Sequence, residues 1–109
     1  MDLLNEINLK TEELRISLKK LRETGSNYAK AERDYKILLR QEVLKLRDEG
    51  QAIGVNTLTC YGIPSVAEKR FQRDVALTIY EANKEAINTL KLQIRLLESQ
   101  LQREWNNIK

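Results

Sequence analysis

No histidine occurs in this chain of 109 residues, and cysteine and proline occur once each. Without histidine, the commonest general base and the commonest metal ligand are both absent. A single cysteine excludes an internal disulfide and any thiolate cluster, so a reducing compartment, the cytoplasm, is the expected setting. One proline and four glycines leave few natural breaks for long secondary-structure elements. Aromatic residues make up only 6% of the chain. No apolar run approaches the ~18 residues that a membrane-spanning helix needs, so no membrane association is expected. The opening MDLLNEINLK has acids before any base and no apolar core, which does not fit a secretory leader.

Charge is what the chain has in abundance. Charged residues make up 32%, hydrophobic ones 41%, and the net charge is only +3. Residues 1–50 hold 11 basic and 10 acidic groups, and residues 65–109 hold 8 and 6. Residues 51–64, QAIGVNTLTCYGIP, hold none. Both signs are interleaved on either side of that gap, as on long solvated helices, with no basic tail dense enough to name nucleic acid.

Apolar spacing predicts two helices. From Ile7 the 3–4 step runs through Leu14, Leu18 and Leu21 to Gly25, Tyr28, Tyr35, Leu39 and Leu46. The phase survives Thr24-Gly25-Ser26-Asn27, which favours one helix over about 2–49 rather than two. Gly50 suits a left-handed C-terminal cap. The connection, about 50–64, is rich in small and β-branched residues and is expected to run extended in part. Ser65 and Glu68 have capping-box spacing, which predicts a second helix over about 65–107. Its seam is expected on Phe71, Val75, Ile79, Ala82 and Ala86, continuing through Ile87, Leu90, Ile94, Leu97 and Leu101.

Two helices of similar length joined by one connection predict a single all-α domain over residues 1–109, a long antiparallel hairpin. One register, with facing positions summing to about 115, sets Leu14 against Leu101, Leu21 against Ile94 and Glu42 against Arg73. Leu9, Ile16, Ile37, Leu38, Val43, Leu77, Leu92 and Leu96 are left outside that seam. Covering them predicts a homo-oligomer, a dimer forming a four-helix bundle or something higher.

Little here carries catalytic chemistry. Cys60 in CYGIP would need a base to act as a nucleophile, and no histidine can supply one. A helix starting at Ser65 offers some activation, but a small apolar side chain packed in the turn is the simpler reading. Glu12-Glu13 and Asp48-Glu49 point in different directions on a helix. The glycines form no phosphate loop. No catalytic, cofactor-binding or metal-binding residues are therefore expected, and the chain reads as a non-enzyme. Two binding regions remain. The uncharged connection offers Ile53, Val55, Leu58, Tyr61 and Ile63 to a protein partner, though covering the seam end near Leu46 and Phe71 is the simpler role for them. Lys69, Arg70 and Arg73 flank Phe71 and offer phosphate contacts to nucleic acid; in the alternative, Phe71 is core and Arg73 an internal ion-pair partner. Trp105 would cap the open end of the hairpin or anchor an interface.

The stretches YAKAERDYKILLRQEVLKLRDEG (28–50) and VAEKRFQRDVALTIYEANKEAINTLKLQIRLLESQLQREW (66–105) resemble small helical proteins of Gram-positive phages and prophages. LRDEG, VAEKRFQRD and REW are the distinctive pieces. The resemblance implies an accessory role near replication or recombination genes, inside a bacterial host cell, and brings no catalytic or binding residue with it. The function expected is thus a non-enzymatic accessory acting through protein–protein contact. The alternatives are a direct nucleic-acid binder and a structural virion or tail-assembly coiled coil.

Overall fold

The computed structural model describes residues 2–108, except for the side chain of Ile53. The fold is all-α. Helix α1 spans Leu3–Asp48, α2 spans Ile53–Cys60 and α3 spans Pro64–Ile108. Asp2 caps α1: its Oδ1 accepts from the Asn5 backbone N–H at 2.8 Å, meeting one of the free donors of the first turn. The helix then passes through Gly25 unbroken. It ends in a Schellman motif, with Gly50 at φ 95°, Gly50 N–H donating to Arg47 O at 2.9 Å and Gln51 N–H to Leu46 O at 3.1 Å.

α1 and α3 pack against each other as an antiparallel hairpin. The chain forms two compact units, Met1–Glu23 with Tyr80–Lys109, and Thr24–Ile79. In the first, Ile7, Leu14 and Leu21 are half-buried along with Ile94, Leu97 and Leu101, while Ile87 and Leu90 are buried. Asn83 Nδ2 donates to Ser17 O at 3.0 Å across this pair of helices. In the second unit, Tyr35, Asn56, Cys60 and Val66 are buried.

Four details depart from the sequence expectations. First, the connection is not extended between Gly50 and Pro64 but holds the eight-residue helix α2. The helix places Asn56 and Cys60, four residues apart, on one face, where both are fully buried. Packing of that face outweighs the modest helix propensity of Val55, Thr57 and Thr59.

Second, α3 begins at Pro64, so Ser65 lies inside the first turn and is not its cap. Ile63 O accepts the first helical bond, from Ala67 N–H at 2.9 Å. Proline suits the first helical position, because its ring presets φ and its missing N–H would have had no partner there.

Third, the expected α3 seam is turned outward in its first half. Phe71 is 62% exposed and Ile79 53%, and Val75, Ala82 and Ala86 are exposed too. The inward face carries Val66, Lys69, Arg73, Ala76, Tyr80 and Asn83. That face keeps strict 3–4 steps into Ile87 and Leu90, whereas the Phe71 stripe does not lead there. On α1, Leu18 is likewise exposed and its neighbour Ser17 faces inward.

Fourth, the register is displaced. Asn83 meets Ser17, and Arg73 meets both Glu32 and Tyr35, so these pairs total 100, 105 and 108 rather than 115. Glu42 is not the partner of Arg73. The reason lies in α2, which starts the return arm: Asn56 Nδ2 reaches Val43 O at 3.4 Å, so the chain has already reversed at residues 49–52.

Candidate partner-binding tip

The tip is built on the reversal at Gly50. With Ala52 extended at φ −69°, ψ 144°, α2 enters alongside the last turns of α1. Asn56 Nδ2 donates to Val43 O at 3.4 Å and to Gln51 O at 3.3 Å, tying α2 to α1 and to the turn itself. Its Oδ1 is buried without a hydrogen-bond partner. An unmet acceptor of this kind costs about 1–3 kcal/mol. At the far end, Gly62 N–H donates to Thr59 O at 3.1 Å and Ile63 N–H to Cys60 O at 3.1 Å, forming the tight turn into α3.

These inward residues are the ones that close the end of the hairpin. Asn56, Cys60 and Val66 have no exposed surface. The larger apolar residues of α2 point the other way. Val55 is 55% exposed, Leu58 73% and Tyr61 38%. Three-residue steps place them along one side of the helix. Ile63 is half-buried, and the side chain of Ile53 lies outside the described residues. Phe71, expected beneath this segment, is largely exposed.

The neighbouring cations divide by role. The Arg70 guanidinium stacks 5.0 Å from the centre of the Tyr61 ring, on the edge of the apolar patch. Arg73 is drawn inward: it donates to Asp74 Oδ1 at 2.8 Å, lies 3.7 Å from Glu32 Oε2 and sits 4.6 Å over the Tyr35 ring. The bond to Asp74 chiefly, helped by the charge of Glu32, holds its pKa above the ordinary value. Lys69 is half-buried. The three cations therefore do not form a single exposed phosphate-binding set.

Cys60 is a poor nucleophile here. Burial chiefly, with the Glu42 carboxylate adding to it, pushes its thiol pKa up, away from thiolate formation. Among the described residues no group of three or more Cys, Asp or Glu is placed to hold a metal ion. No helix among them is long and apolar enough to cross a membrane.

Sequence reasoning found Val55, Leu58 and Tyr61 but missed Asn56 and the two arginine–tyrosine stacks. The four-residue spacing of Asn56 and Cys60 was the available signal, and it has meaning only once the segment is read as helix. No family model, curated protein or solved structure matches the chain. The likeness to phage helical proteins rests on the residues quoted for it alone.

Proposed function

We propose that this is a non-enzymatic, self-associating helical hairpin whose α2 tip docks a protein partner. The phage likeness adds the setting: an accessory to DNA replication or recombination in the cytoplasm of a bacterial host. One observation carries the docking reading. Packing at the tip is done by Asn56, Cys60 and Val66, which leaves Val55, Leu58 and Tyr61 in solvent with no covering role. Exposed aromatic and aliphatic side chains beside an arginine suit the centre of a protein interface. The inward turn of Arg73 counts against the nucleic-acid alternative through Lys69, Arg70 and Arg73.

Replacing the whole connection with a flexible linker would uncover Val66 and confuse folding with binding. The sharper test is the triple variant Val55→Ser, Leu58→Ser, Tyr61→Ser, compared with the parent by affinity capture from host-cell extract. The parent is expected to retain a protein that the variant loses at equal helicity. Equal capture by both removes the tip from the mechanism. Retention on single-stranded DNA that falls steeply with salt and needs Lys69 and Arg70 would favour the nucleic-acid reading instead.

A further inference from the structure

We propose that the outward stripe of α3 is the surface on which two copies of this chain meet, packed antiparallel so that the large side chains of one copy cover the alanines of the other. The inference rests on the self-association proposed above and specifies its interface. Phe71, Val75 and Ile79 are 62%, 41% and 53% exposed, and Ala82, Ala86 and Thr89 are exposed as well. Steps of three and four place these six on one face of a single helix. None is charged, in a chain that is 32% charged.

The order along the stripe selects both partner and orientation. Bulky residues occupy its first half and small ones its second. A second α3 running the opposite way, about a two-fold axis between Tyr80 and Glu81, sets Ile79 over Ala82 of the second copy and Val75 over Ala86. The symmetry repeats each pair, so one self-complementary surface satisfies both chains. Small residues let the axes approach toward ~8 Å, the close end of helix packing. Parallel pairing would press Phe71 on Phe71 and leave the alanine end empty. The alanines are also not flat surface: Ala82, Ala86 and Leu90 line a groove with Ile16 and Ser17 of α1, ready to receive bulky side chains.

The area agrees with such a partner. The chain exposes 8034 Å², against about 6200 Å² for a folded monomer of its mass. The excess exceeds the ~800 Å² per partner that a standard interface takes. An unrelated helix could fill the groove, but it would have to bring the bulky row that this chain already carries on the same helix.

Light scattering on the full chain at micromolar concentration tests this, with helicity followed by circular dichroism. The parent is expected at twice the 12.7 kDa chain mass. Ile79→Glu is expected to halve that mass with helicity kept, while Ile37→Glu on α1 leaves it unchanged. A parent that is monomeric overturns both self-association and this interface. An oligomeric parent indifferent to Ile79→Glu overturns the interface alone. Should Ile79→Glu unfold the chain, disulfide formation decides: in a Cys60→Ala background, Val75→Cys with Ala86→Cys is expected to give a covalent dimer on mild oxidation. Crosslinking through Val75→Cys alone would show parallel packing and overturn the proposal.

Discussion

The guanidinium of Arg73 lies 4.6 Å over the ring of Tyr35, pairing a cation on α3 with the most buried aromatic side chain of α1. Asp74 and Glu32 hold the same guanidinium, so a charge sits in the interface between the helices without being left alone there. Arg73→Ala is expected to lower stability by about 1–2 kcal/mol in urea titration, from the lost stacking and packing. Arg70→Ala, at an exposed site, should change it by less than ~0.5 kcal/mol. A double-mutant cycle with Tyr35→Leu should show coupling between Arg73 and Tyr35; additive effects would refute the stacking account.

Two glycines of the tip should respond with opposite signs. Gly50 has φ 95°, which a side chain adopts only with strain, so Gly50→Ala is expected to cost about 1–2 kcal/mol. Gly54 lies in the first turn of α2, and a Cβ built there meets nothing within 4 Å. Gly54→Ala should therefore stabilise the protein by up to ~1 kcal/mol. Thermal unfolding of the two variants checks both signs.

Cys60 should be chemically quiet in the folded state. Thiol-directed alkylation is expected to be slow in buffer and fast in denaturant, by at least about tenfold. Because burial raises the folded pKa above the unfolded one, the stability contribution of the protonated thiol is fully present below the unfolded pKa. It is lost as pH rises through the folded value, so stability should fall on the alkaline side, and Cys60→Ala should flatten that fall. Rapid alkylation of the native chain would contradict the buried placement.

Asn56→Asp probes the tie between α2 and α1. It replaces the amide donor to Val43 O and Gln51 O with a group that, when ionised, can only accept. At neutral pH the variant is expected to lose about 2–3 kcal/mol. Burial favours the neutral acid, so its folded pKa would exceed the unfolded one and the loss should shrink as pH falls toward 4. A pH-independent loss would mean that water reaches this site.

The helices, their antiparallel pairing and the cap at Gly50 were legible in the sequence because each depends on neighbours along the chain. The 3–4 spacing from Ile7 to Leu46 carries α1 through Gly25, and glycine at the end of LRDEG suits the left-handed turn. The exposed trio Val55, Leu58 and Tyr61 stood out because apolar residues gathered where charge vanished. The face of α3 turned inward was decided only by tertiary structure. Two stripes run along its first half, one through Phe71, Val75 and Ile79 and one through Val66, Arg73 and Tyr80, and local pattern favours the more apolar. What tips the balance is non-local: Arg73 finds Glu32 and Tyr35 on α1, and Val66 closes the tip beside Asn56 and Cys60. The register followed the same logic. Heptad-like seams fit one another at several offsets, and the bond from Asn56 to Val43, made possible by α2, selects one of them.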